Sequence, residues 1–159
     1  MPMTAPTDTL VSFQRALRAG VVPLQPGEID QTLYVHRDHP NGRPRFIYMK
    51  IDGKTITALA IFAMLDPRDG VVCLQTGYAV PESYRGQGRA KDILRSAVAE
   101  LKNGLSRAGV KSFLVEAVIG IDNLASQKVA VAVISGTPKT ITDEFSGLPA
   151  LQYVLKVTA

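Results

Sequence analysis

Between Val80 and Lys91 the chain reads Val80-Pro81-Glu82-Ser83-Tyr84-Arg85-Gly86-Gln87-Gly88-Arg89-Ala90-Lys91. Two glycines one residue apart let the backbone turn sharply and approach a ligand closely. A helix starting there would aim unpaired N–H groups and the positive end of its dipole at the same space. Those features suit an anion, and a pyrophosphate well. Arg85 and Arg89 add charge at the rim. An arginine at a helix N-terminus opposes the dipole, so a pair of them fits best with an anion between. The segment is not a Walker loop, because no Gly-Lys-Ser/Thr follows. It lacks the third glycine of a G-x-G-x-x-G dinucleotide fingerprint.

Other side chains could move protons. Glu116 interrupts an apolar run, and a carboxylate there is costly unless it is paired or faces a cleft. It is a candidate general base or a half-exposed strand residue. Tyr78 lies on the strand entering the glycine loop and is a candidate proton donor or a packed aromatic. Tyr153 offers the same choice on a later strand. Glu82 follows the strand end. His36 and His39 sit beside Pro40 and Asn41 and read as loop residues. Cys73 reads as an interior strand residue.

These residues need elements to position them. Asp8 is a plausible N-cap for a helix carrying Leu10, Phe13 and Leu17, with Gly20 as its stop. Val21–Gly27 reads as loop. Thr32–Val35 and Arg45–Ile51 read as strands, separated by a turn at 38–44 that holds Asn41-Gly42. Asp52-Gly53 signals a hairpin into Lys54–Leu65. Asp66–Gly70 is a further turn before Val71–Val80. The segment 31–80 is thus an antiparallel meander of about four strands. Ala90, Ile93, Leu94, Ala97, Val98, Leu101 and Leu105 then recur at helical spacing. Lys111–Ile119 is strand-like. Asp122 or Asn123 can cap a helix over Leu124–Ala132, although Val129–Ile134 is rich in β-branched residues. Thr140–Thr142 and Leu151–Val157 close the chain as strands. The expected class is α+β around one mixed sheet, in which Val71–Ile119 forms a parallel strand–helix–strand unit with a right-handed crossover.

Composition sets the outer limits. The 159 residues are 46% apolar and 20% charged, which excludes disorder as the main state and fits one domain over 1–159. Cys73 has no partner in the chain, so a disulfide scaffold is excluded, and with only two histidines no metal site is expected. The longest apolar runs, Ala58–Leu65 and Val129–Ile134, fall short of the ~20 residues of a spanning helix. Met1–Asp8 has no apolar leader core, and with a lone cysteine the expectation is a cytoplasmic protein with no membrane partner. The net charge is +4, yet Arg85–Lys111 alone holds seven bases against two acids. That stretch either attracts an anion or forms a solvated helix face.

Arg85-Gly86-Gln87-Gly88-Arg89-Ala90 resembles the Q/R-x-x-G-x-G/A signature of the GNAT family of N-acetyltransferases. Val80-Pro81-Glu82 is similar to that family's strand-to-loop junction, and Asn123-Leu124-Ala125-Ser126 to its N-x-x-A/S element. One helix and one strand separate the two motifs, as in the family, and the resemblance covers about residues 55–135. It implies a GNAT-like fold with a splayed central sheet. It also implies that Ala79, Val80, Arg85, Gly86, Gln87, Gly88, Arg89, Ala90 and Lys91, with Asn123 and Ser126, bind acetyl-CoA. In that scheme the backbone of Gln87–Lys91 holds the pyrophosphate, the free edge at Ala79–Val80 holds the pantetheine, and Asn123 contacts it from the other side. The Val80 N–H faces the thioester oxygen. The implied reaction is direct attack of a primary amine on the thioester, with Glu116 and Tyr78 as candidate catalytic residues and no covalent role for Cys73.

The sequence departs from the family in three places. The tyrosine often found seven residues after the asparagine is Ala130 here. A short loop near His39–Arg43 stands where the family usually has two helices walling the acceptor site, and the helix near Asp8–Ala19 is a candidate substitute. Val131–Ile134 is unusually β-branched for the family's second helix. These departures keep a non-catalytic acyl-CoA-binding or sensor protein open as an alternative. A basic nucleic-acid-binding domain is a further alternative. It is disfavoured because no aromatics interleave with the bases after Tyr84. A homodimer through an edge strand is compatible with the resemblance.

Overall fold

The computed structural model describes residues 5–159; the start of the Met1–Asp8 segment read above for a leader lies outside them. Three helices and eight strands follow one another as α1 (Pro6–Arg18), β1 (Gln25–Pro26), β2 (Leu33–Asp38), β3 (Arg45–Asp52), β4 (Thr55–Met64), β5 (Val72–Ala79), α2 (Arg89–Arg107), β6 (Ser112–Gly120), α3 (Leu124–Val133), β7 (Lys139–Thr142) and β8 (Pro149–Thr158). The strands form one mixed sheet in the order β1-β2-β3-β4-β5-β6-β8-β7. β1 to β5 are antiparallel neighbours, β5 and β6 are parallel, and β6, β8 and β7 are antiparallel again. This is the expected meander followed by a strand–helix–strand unit.

Alternation along the strands sorts side chains to two faces. In β4, Ala58, Ala60 and Phe62 face one way, where they join Ile93, Leu94, Ala97 and Leu101 of α2 and Ala130 of α3. Leu59 and Ile61 face the other way and join Ile47, Met49 and Leu10 of α1, with Phe13 and Leu17 packed alongside. Each fully buried Leu or Ile of α2 contributes roughly 1.5–3 kcal/mol, so the amphipathic stripe fixes the helix against the sheet.

Several boundaries differ from the sequence expectation, each for a local reason. Helix α1 starts at Pro6 behind Ala5, so Asp8 lies in the first turn instead of capping it. Proline suits that position because its missing N–H would be unpaired there anyway. The loop after α1 contributes a two-residue strand, pairing Gln25 with Val35 and Pro26 with Tyr34. The β3–β4 hairpin turns over Gly53-Lys54, since Asp52 already pairs with Thr55. In the β4–β5 turn, Asp69 and Gly70 have φ of 52° and 78°, the left-handed pair that suits a tight hairpin. It places Arg68 opposite Val71. No described helix is long and apolar enough to cross a membrane.

Candidate active site at the fork of β5 and β6

The parallel pairing of β5 with β6 begins at Val72–Phe113 and stops at Gln75–Glu116. Both strands continue, β5 to Ala79 and β6 to Gly120, without pairing to each other. The sheet therefore forks. On the fork side, Thr76–Ala79 keeps backbone groups free of a strand partner, a ready edge for an extended ligand. Beyond the fork each strand keeps its outer neighbour: Ala79 pairs with Leu59, and Gly120 with Ala150.

From the tip of β5 the chain makes one short turn at Glu82–Tyr84 and enters the glycine loop. Gly86 and Gly88 have φ of 75° and 74°, and a Cβ at either would meet nothing within 4 Å. The glycines are thus required by backbone conformation, and the space beside them is open. Gly88 is the N-cap of α2 and supplies no side-chain acceptor, so the first N–H groups of a 19-residue helix face that space. Arg85 folds back, its Nε donating to the Val80 carbonyl at 2.9 Å. Arg89 Nε donates to Gln87 Oε1 at 3.1 Å, and its guanidinium lies 4.9 Å over the Tyr84 ring. Arg85, Arg89 and Lys91 form no ion pair with any described residue. Open space, unpaired N–H groups and free cations together fit a phosphate-bearing ligand.

Across the fork, α3 begins at Asn123, whose Oδ1 accepts from the Ser126 N–H at 3.2 Å. Asn123 is therefore the cap, and Asp122 is not. That bond leaves the amide NH2 of Asn123 for a ligand. Asn123 also borders a 360 Å³ cavity between the β6–α3 and β7–β8 turns. Tyr78, on the free half of β5, donates its hydroxyl to the Ser126 carbonyl at 2.6 Å. Burial pushes its phenol well above the usual range, with Tyr153 adding in the same direction. Burial keeps the hydroxyl protonated and opposes the ionisation that giving up its proton would need.

Glu116 stands at the base of the fork, 7% exposed. Arg68 Nη2 donates to its Oε2 at 2.7 Å and Gln152 Nε2 to its Oε1 at 2.9 Å. Both oxygens are therefore held, and the Cys73 thiol lies 3.9 Å from Oε2. No sequence pattern signals this clamp, because Arg68 arrives from a turn 48 residues away. Cys73 is buried, with its thiol pushed up chiefly by burial and further by Glu116. Tyr153 is a core residue, 1% exposed. Glu82 is exposed in its short turn. His36 is not a loop residue: it lies within β2 and pairs with Ile47, because the strand runs on to Asp38. His39 opens the β2–β3 connection, where a single 3-10 turn at Pro40–Gly42 takes the place of longer structure. His36 is pinned, its Nδ1 3.1 Å from the Pro23 carbonyl. Among the described residues no group of His, Cys, Asp and Glu comes together as a metal site.

No family model matches the sequence, and no curated protein matches it. Solved structures do match the fold. A GNAT-family acetyltransferase from Streptococcus pneumoniae superposes with a TM-score of 0.52 at 9% identity, covering 71% of this chain and 66% of that one. A Bordetella pertussis protein assigned to the GNAT family gives 0.52 at 16% identity, covering 71% and 65%. An aminoglycoside N(6')-acetyltransferase from Legionella pneumophila gives 0.51 at 14%, covering 73% and 66%. The chain thus spans just under two thirds of the length of each of these proteins. The mixed sheet with its helices therefore matches the fold of these GNAT acetyltransferases.

Proposed function

We propose that this chain, which has the GNAT fold, is an N-acetyltransferase that moves the acetyl group of acetyl-CoA to a primary amine. The observation that carries the proposal is the fork. The β5–β6 pairing stops at Gln75–Glu116, and the freed strand end leads straight into the Gly86–Gly88 cradle at the start of α2. A cradle for a pyrophosphate and a free strand edge for an amide-bearing arm then lie on consecutive residues of one segment. The described geometry fits acetyl-CoA on both counts.

Within this proposal the N–H groups at the start of α2 hold the phosphates, with Arg85, Arg89 and Lys91 supplying charge. Ala79 and Val80 hold the pantetheine on the strand side, and Asn123 and Ser126 hold it on the helix side. Bound acetyl-CoA supplies an activated thioester, whose C–S bond breaks as the amine nitrogen bonds to the acetyl carbon. Tyr78 is the candidate proton donor to the leaving thiolate, in the place left by Ala130. Glu116 is the candidate base for the amine proton, with Arg68 and Gln152 fixing its carboxylate.

One observation favours a second reading. The Tyr78 hydroxyl and both Glu116 oxygens are already bonded inside the chain. A protein that binds acyl-CoA without turning it over would look the same. Thermal unfolding with and without acetyl-CoA tests the shared step. At a hundred times its dissociation constant a ligand adds roughly 2.7 kcal/mol, a shift of about 5–10 °C for this size. The shift should vanish in Gly88→Glu, which fills the cradle. No shift for the unaltered chain would sink both readings. A shift without thiol release from any amine would leave only the second.

A further inference from the structure

A second cavity lies at the opposite end of α2 from the glycine cradle. It measures about 620 Å³ and lies between the last turns of α2, strand β2 with its edge strand β1, and the loop before them. That is within the ~300–1,000 Å³ range of small-molecule sites. Its wall is rigid. Glu100 of α2 is 8% exposed, and its carboxylate accepts the backbone N–H groups of Glu28, Ile29 and Asp30 at 3.1, 2.7 and 2.8 Å. Gly27 is required beside it, since a Cβ there would lie 2.5 Å from the Asp30 carbonyl oxygen. The helix contributes Gly104, where a Cβ would meet nothing within 4 Å.

The carboxylates of this cavity are engaged from within. Glu100 holds three amides, Glu28 Oε2 holds Arg107 and Asn103, and the carbonyls of Gly104, Leu105 and Ser106 hold the N–H groups that close the helix. Two of its donors are uncommitted. Tyr48 is 5% exposed, lines the cavity, and its hydroxyl makes no hydrogen bond with a described residue. Arg37 lies 5.3 Å over the Phe46 ring and pairs with no described carboxylate. Phe46, Leu101 and Leu105 supply an apolar wall.

We infer that this cavity binds a small organic carboxylate with an apolar, flat body, its oxygens accepting from Arg37 and the Tyr48 hydroxyl and its body lying against Phe46, Leu101 and Leu105. The site is separate from the glycine cradle and does not depend on transfer activity.

Amide chemical shifts in a titration with indole-3-acetate test this, with tryptamine as the cationic counterpart of the same ring. Saturable shifts in Gly27–Asp30 and Gly104–Ala108 are expected with the acid and not with the amine. Arg37→Gln should weaken binding about tenfold, the worth of one charge-assisted hydrogen bond. Gly104→Leu should abolish it by filling the cavity, while the fold is kept, because leucine is the better helix former. Absence of saturable shifts at millimolar acid would overturn the inference. So would equal binding of tryptamine, or binding that survives Gly104→Leu.

Discussion

The Tyr78 hydroxyl donates to the Ser126 carbonyl at 2.6 Å, joining the splayed half of β5 to the first turn of α3 across the fork. One tyrosine thus spans the two walls between which the pantetheine is proposed to lie. Tyr78→Phe removes the hydroxyl and keeps the ring. It should cost about 0.5–1.5 kcal/mol in denaturant unfolding. If Tyr78 is the proton donor, the thiol-release rate should also fall about 10²-fold or more, with acetyl-CoA binding retained. A rate within a factor of two of the unaltered chain would assign Tyr78 to structure alone.

Gly86 and Gly88 hold left-handed backbone with open space beside them. Alanine at either should cost about 1–2 kcal/mol, purely from the backbone. Gly136, with no positive φ and no near neighbour, is the control, and Gly136→Ala should be close to neutral. Calorimetric Tm values of the three variants check this. Equal Tm values would mean that the loop is relaxed in some other conformation.

Glu116 can be a base or a strut, and Arg68 separates the two. Arg68→Ala leaves a nearly buried carboxylate without its cation. It should destabilise by about 1–3 kcal/mol, discounted because Arg68 is half-exposed. Adding Glu116→Gln to that variant should recover much of the loss, as a double-mutant cycle in urea would read. Glu116→Gln alone should abolish thiol release if Glu116 is the base. Unchanged turnover in that variant would rule the base role out.

The pH dependence of stability has a defined sign at both ends. Burial raises the phenols of Tyr48 and Tyr78 above their ordinary value of 10.0. Their contribution is therefore full below pH 10.0 and is lost as pH rises beyond it, where only the unfolded chain ionises. At the acid end, hydrogen bonds from Lys50 and Thr32 lower Asp30 from 3.8 to about 2. Its contribution, no more than about 1 kcal/mol for so exposed a pair, is present above pH 3.8 and fades as pH falls through about 2. Urea midpoints across pH check both. Tyr48→Phe should flatten the alkaline limb.

Much of this layout is legible in the residues. The period of Ala90–Leu105 placed α2, the turn chemistry of Asp69-Gly70 ended a strand, and Gly86 and Gly88 marked the loop between them. The fork was expected only through resemblance, because nothing in the composition of Thr76–Ala79 says that its partner strand departs. The Arg68 clamp on Glu116 was invisible, since it depends on where a turn ends up in space. Glu100 left a trace that sequence reasoning passed over. It falls seven residues after Ile93 on the apolar side of α2, where a carboxylate must find donors. Those donors are the amides of a loop 70 to 72 residues away.

The short β5–β6 pairing also has a mechanical meaning. Among the described residues, four pairs, Val72–Phe113 to Gln75–Glu116, are all the strand pairing that couples the five strands before α2 to the three after it. They join segments distant in the chain, so they cannot form until α2 has brought β6 back. The same seam is where the two halves can part with the fewest broken bonds. Its amides should exchange with solvent sooner than those of the flanking β4–β5 and β6–β8 ladders, so the fold carries its line of easiest opening through the mouth of its own cleft.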